Sequence, residues 1–205
     1  MAERFSQKNL RVRPSSDEEK IVTNAKKHFE KTLVEISGEL VGSVAALEHP
    51  TKNKKLNYGE IFLRDNVPVM IYLITQKRYE IVKKFLSVCL ELQSSNYQTR
   101  GVFPTSFVEE NGQLIGDYGQ RSIGRITSAD ASLWWPILCW YYVNKSGDYA
   151  FGKSQSVQRG IQLLLDLVLH PTFEGKTLLL VENTDRNQIS KIFSHSPKIR
   201  FEVNV

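Results

Sequence analysis

Apolar residues recur at Ile21, Ala25, Phe29, Leu33, Ile36, Leu40, Val44 and Leu47, in steps of three or four. That spacing lines one side of a helix and predicts a single long amphipathic element with a continuous buried stripe. Its start is marked by Ser15-Ser16-Asp17-Glu18-Glu19, an N-cap residue followed three positions later by a glutamate. His49-Pro50 and the cluster Lys52, Lys54 and Lys55 end it. After a short connecting piece, Asn57 to Leu63, a second helix is expected from near Asp65, because Pro68 then falls in a first turn, where its missing N–H costs nothing. Val69 to Ile74 is apolar nearly all round. A third helix is predicted from about Arg78 to Leu92, with Ile81, Val82, Phe85, Leu86, Cys89 and Leu92 on one face. A fourth spans about Ala129 to Asn144, and a fifth Ser156 to Leu169, with Val157, Ile161, Leu164, Leu165 and Val168 inward.

Between the third and fourth helices lies Gln93 to Ser128, rich in Gly, Ser, Asn and Gln, with its apolar residues isolated. A connection of that length in a compact domain is either a misassigned element or a functional loop, and the second reading is favoured here. Helix follows helix without βαβ alternation and without an internal repeat, so the expected fold class is all-α. Helices apolar nearly all round imply burial on two sides, as in the inner ring of a double-layered helical barrel. Five helices are too few to close such a ring, which would leave the flanks of Val69–Ile74 and Leu163–Leu169 partly uncovered and makes a homo-oligomer possible. Residues 1–14 read as a flexible arm.

Composition narrows the function. With 205 residues, 41% hydrophobic, 10% aromatic and 24% charged, the chain has a globular mix and the length of one domain or a piece of a larger one. The net charge of +5 is scattered among acids, with no basic stripe carrying stacking aromatics, so nucleic acid is not an expected partner. Cys89 and Cys139 sit inside apolar helical patterns and read as buried reduced thiols. The first sixteen residues lack the apolar core of a secretory signal, and no apolar stretch reaches membrane-spanning length, so no membrane partner and a cytoplasmic location are the default expectations. His28, His49, His170 and His195 show no metal-ligand spacing, so no metal is expected. Gly116-x-x-Gly119 is too weak to count as a phosphate loop, and no Gly-x-Ser-x-Gly elbow occurs, which disfavours a nucleotide enzyme and a serine hydrolase.

Two segments combine charge and aromatic surface beyond the needs of a plain core. In Tyr58-Gly59-Glu60-Ile61-Phe62-Leu63-Arg64-Asp65-Asn66-Val67-Pro68, Arg64 and Asp65 stand together at the entrance of an apolar helix. They are either a first-turn acid favoured by the helix dipole with a solvated neighbour, or a guanidinium and carboxylate that hold sugar hydroxyls in fixed directions. From Gly116 to Trp135, Asp130 falls in the first turn of the fourth helix, with Ser128 available as N-cap, directly ahead of Trp134 and Trp135. The plain reading is an acid and two core aromatics. The functional one is a carboxylic acid beside indole faces, which suits the flat C–H faces and hydroxyls of a saccharide.

At these segments the sequence resembles the neutral/alkaline invertases, glycoside hydrolase family 100, and the bacterial type in particular. The matching blocks are Asn57 to Asp65, Pro104-Thr105-Ser106-Phe107, Tyr118-Gly119-Gln120-Arg121-Ser122-Ile123-Gly124-Arg125 and Asp130-Ala131-Ser132-Leu133-Trp134-Trp135. Gly147-Asp148-Tyr149 and Gly160-Ile161-Gln162 continue the likeness, which runs from about residue 20 to Val181. The resemblance implies an (α/α)6 barrel, incomplete in this chain, that hydrolyses sucrose or a related small saccharide with inversion and without a cofactor. It implies that Asp130 is the general acid, that Arg64 and Asp65 lie at the glucosyl subsite, and that Tyr58, Gln120, Arg121 and Trp134 are neighbouring substrate-binding positions.

In the family the general base is a glutamate far downstream. The resemblance therefore gives this chain the acid half of the site, in a catalytic-domain part at 15–181, followed by a divergent tail at 182–205. The alternatives are a non-catalytic helical remnant that binds sugar weakly or nothing, and an α-toroid interaction module.

Overall fold

The computed structural model describes residues 15–44, 58–96, 99–119 and 130–169. The expected arm, tail and first-helix terminus at Leu47 lie outside the described residues. Helix α1, Ser16–Glu30, begins as anticipated: Ser15 caps it, the Glu18 N–H donates to the Ser15 hydroxyl, and the Glu18 carboxylate accepts from the Ser15 N–H at 2.6 Å.

The single long helix is corrected. It stops at Glu30, and the chain turns into an antiparallel hairpin of β1, Leu33–Ile36, and β2, Glu39–Ser43. The two-residue turn Ser37-Gly38 has φ of 52° and 79°, the left-handed pair that suits a tight hairpin and that a helix interior resists. The apolar steps of three or four were misleading, because Ile36, Val41 and Val44 are buried from the sheet, while Ile21 and Val22 on α1 stay exposed. No residue of α1 is buried, and the helix attaches through Phe29, whose ring meets Tyr72 edge-on at 5.2 Å.

The all-α expectation is corrected by a second sheet as well. Strand β3, Ile61–Phe62, pairs antiparallel with β4, Ser106–Glu110, which pairs antiparallel with β5, Gln113–Asp117. The stretch expected to be a loop thus holds a hairpin, closed by Asn111-Gly112 with φ of 53° and 76°. Across this sheet Phe62, Ser106 and Asp117 stand in one row.

Helix α2, Leu63–Thr75, starts two residues earlier than expected, so Pro68 lies inside it rather than in its first turn. Helices α3, Tyr79–Glu91, α4, Ala131–Ser146, and α6, Gln155–Val168, follow, with the short α5, Tyr149–Gly152, between the last two. The described structure is mostly helical with two small sheets. Its core runs through Met70, Leu73, Phe85, Leu86, Phe103, Phe107, Trp135 and Leu138. Cys89 and Cys139 are buried free thiols, and burial pushes Cys139 up to about 11. Both therefore stay protonated near neutrality and serve as core packing.

Helix α6 docks on α3 by close approach. Gln93 donates through Nε2 to the carbonyls of Gly101 and Gly160, at 2.8 and 2.9 Å. Gly101 has φ of 100°, and a Cβ there would stand 2.5 Å from the Leu163 carbonyl oxygen, a backbone atom with no room to retreat. Strain and overlap add, so Gly101→Ala is expected to destabilise the fold by about 2 kcal/mol or more. Urea denaturation checks this, and an unchanged midpoint would refute the contact of residue 101 with α6.

Candidate active site

The two charged segments meet where α2 packs on α4. Short pairing of β3 with β4 fixes the chain just ahead of α2, and the Leu63 N–H donates to the Thr105 carbonyl at 2.9 Å. Below it, the buried Ser106 hydroxyl donates to the equally buried Glu60 carboxylate at 2.6 Å. The first turn of α2 then carries Arg64 and Asp65 into solvent, with Arg64 Nε 3.7 Å from Asp65 Oδ1.

Asp130 is the N-cap residue of α4 rather than part of its first turn. Its carbonyl accepts from the N–H groups of Leu133 and Trp134, both at 3.0 Å. Its carboxylate does not cap the helix, as an aspartate at this position usually does. The carboxylate reaches instead across 66 residues of sequence to Arg64, whose Nη1 lies 3.4 Å from Asp130 Oδ1. Arg64 therefore stands between two carboxylates, all three side chains about half exposed.

The adjacent tryptophans divide their work. Trp135 is fully buried, donates its indole N–H to the Leu86 carbonyl at 3.1 Å and stacks on Phe103 at 4.7 Å. Trp134 is 37% exposed, one helical turn after Asp130. Tyr58 is also exposed, in the turn before β3. Gln120, Arg121 and Ser128 lie outside the described residues.

The structure thus brings Arg64, Asp65 and Asp130 together at a solvent-open surface with an indole on the same helix as the acid. That arrangement offers a proton donor or acceptor, a fixed cation, a second carboxylate and an apolar face. Among the described residues no group of three or more His, Cys, Asp and Glu is placed to hold a metal ion.

One residue here escaped sequence reasoning. Asn66 is buried, and its carboxamide joins the β1–β2 hairpin to α2. The available signal was a polar residue on the apolar stripe Leu63, Val67, Met70, Leu73 and Ile74 of an otherwise apolar helix.

Comparison with known proteins identifies the setting of this geometry. The family model for alkaline and neutral invertase matches residues 25–188. The chain belongs to the alkaline and neutral invertase family. It is 32% identical over 183 residues to Alkaline/neutral invertase CINV2 of Arabidopsis thaliana, covering 83% of this chain and 33% of that protein. It is 36% identical over 189 residues to Neutral/alkaline invertase 1, mitochondrial, of Oryza sativa subsp. japonica, covering 84% of this chain and 30% of that protein. With Cytosolic invertase 1 of the same rice the identity is 31% over 172 residues, covering 78% of this chain and 30% of that protein. The chain therefore spans about a third of the length of these invertases. Relatives carry cytosolic, mitochondrial and chloroplastic names, so family membership does not fix a compartment. Among the described residues no helix is long and apolar enough to cross a membrane.

An exposed ion pair contributes little to stability, because water and mobile side chains compete with it. Arg64→Ala, Asp65→Asn and Asp130→Asn are each expected to shift the unfolding free energy by less than about 1 kcal/mol. Denaturant titration of the three variants checks this. A larger loss in any of them would mean that its charge contributes to holding the fold.

Proposed function

We propose that this chain is the N-terminal, acid-bearing part of a sucrose-hydrolysing invertase of the bacterial type, built on an (α/α)6 barrel of which residues 15–181 are one portion. The observation that carries the reading is the approach of Arg64 to Asp130 at 3.4 Å, which joins the two motif segments at one open surface. Family membership supports the substrate class, since invertase is the printed name of the relatives.

In this reading Asp130 protonates the glycosidic oxygen as its bond to the glucosyl anomeric carbon breaks, and that oxygen leaves with fructose. Arg64 and Asp65 bind glucosyl hydroxyls from opposite sides of their hydrogen-bonding capacity, the first donating and the second accepting. Trp134 and Tyr58 offer apolar faces to the sugar ring, and Gln120 and Arg121 extend the polar wall. Inversion needs a second carboxylate, roughly 6.5–9.5 Å from the acid, to deprotonate water on the opposite side of the ring. We assign no residue of this chain to that task and place the general base elsewhere in the invertase fold. The protein is proposed to act on soluble saccharide in the cytoplasm, with no nucleic-acid or membrane partner.

The test separates binding from turnover. Sucrose titrated into the 205-residue chain is expected to give a calorimetric signal that Arg64→Ala abolishes, whereas a nucleotide gives none. Glucose release by the unmutated chain is expected to stay at the level of an Asp130→Asn control, because losing a base costs about 10²–10⁴-fold. Nucleotide binding without sucrose binding would sink the substrate assignment. Robust glucose release that vanishes in the control would show that a base resides in these residues.

A further inference from the structure

We propose that Asn66 is a positioning residue, which aims Arg64 and Asp65 by clamping the first turn of α2 to the end of strand β2. The inference deepens the saccharide reading above and takes from it the role of the Arg64–Asp65 pair. The side chain of Asn66 is buried at the one point where β2, β3 and α2 converge. Its Oδ1 accepts from the Ser43 N–H at 2.8 Å and from the Ser43 hydroxyl at 3.3 Å. Its Nδ2 donates to the Ser43 carbonyl at 2.9 Å and to the Phe62 carbonyl at 2.9 Å.

The carboxamide thus exchanges both bonds with one residue's backbone, as a neighbouring strand would, and adds a third to the residue that opens the helix. Only a side chain with adjacent donor and acceptor does this. Aspartate lacks the donors, and leucine, of similar shape, lacks both and would strand the part-buried Ser43 N–H and carbonyl.

Gly42 is cut to fit the clamp. A Cβ at that position would stand 2.8 Å from Ile61 Cγ2 and 3.1 Å from Asn66 Oδ1, so a side chain there presses on both partners. Asn66 directly follows Asp65 and lies four residues after Phe62. The segment held between its bonds to Ser43 and Phe62 is therefore the one that carries Arg64 and Asp65 out toward Asp130. Asn66 itself does not reach solvent, so it acts on a ligand through that segment alone.

A purely structural asparagine would lower stability and leave the charged pair as it was. The decisive readout is the Arg64 Nε–Hε cross-peak of the full 205-residue chain in cold, mildly acidic solution, where the guanidinium proton exchanges slowly. The Asn66→Ala variant is expected to move that cross-peak to the position of a free arginine, below its melting temperature, and to weaken sucrose binding by about tenfold or more. Val157→Ala, a cavity at a buried position of α6, is expected to lower the melting temperature and leave the cross-peak and the affinity in place.

If Asn66→Ala fails to fold, Gly42→Ala applies the same disturbance from the hairpin side, and the same shift is expected. A cross-peak unmoved in the clamp variant, or moved equally by Val157→Ala, overturns the proposal. If sucrose perturbs nothing in the unmutated chain while the cross-peak follows the clamp, the saccharide reading fails and the positioning role stands.

Discussion

A buried indole N–H has to find an acceptor, and the way Trp135 finds one sets the geometry of the whole site. Its bond to the Leu86 carbonyl and its stacking on Phe103 lock the first turn of α4 to the middle of α3 and to the segment that leads into β4. Ser132, one turn-face away and also buried, receives the Phe103 N–H on its hydroxyl at 3.0 Å and repeats the tie. With α4 held there, Asp130 at its N-cap has a single place to stand, and Arg64 on α2 is in reach. The polar surface is thus fixed from behind by apolar packing, and the exposed charges need not hold themselves together.

The same division recurs at the far end of α4. Asp148 gathers Lys83 from α3 at 2.8 Å, the Tyr142 hydroxyl at 3.0 Å and the Phe151 N–H at 3.0 Å. The lysine and these hydrogen bonds hold its carboxyl below the usual aspartate range, while burial and the neighbouring carboxylate push Tyr142 up to about 12. Charges there are knitted into the scaffold, each with a fixed partner. The carboxylates around Arg64 differ in exposure: Asp148 is 24% exposed, whereas Asp65 and Asp130 are 59% and 48% exposed.

The charged cluster was more legible in the sequence than the strands were. Arg64, Asp65 and Asp130 stood out because charges at the mouths of apolar helices need a reason, and the structure places all three together. The helices α3, α4 and α6 were readable to within two residues at their ends, α3 and α6 by regular apolar stripes and α4 by a long run that is apolar nearly all round. The hairpins were not, although each carried a local signal in Ser37-Gly38 and Asn111-Gly112. Over Leu33 to Val44 an apolar step of three or four fits a helix as well as a bulged hairpin, and only the Ser-Gly pair argues otherwise. The second hairpin hid in a polar stretch because its strands face the core chiefly through Phe107, with few apolar residues to show an alternation. Trp134 and Trp135 were indistinguishable in sequence, since which of two neighbours turns inward depends on where α3 lies.

Both helices that carry the charged residues also contain a proline, Pro68 in α2 and Pro136 in α4. A proline has no N–H, so Pro68 gives nothing to the carbonyl of Arg64, and Pro136 nothing to that of Ser132. Each opening turn is therefore joined to the rest of its helix by one rung fewer than usual. Side-chain ties supply what the ladder lacks: Asn66 bonds the opening of α2 to Ser43, and Trp135 and Ser132 bond that of α4 to Leu86 and Phe103.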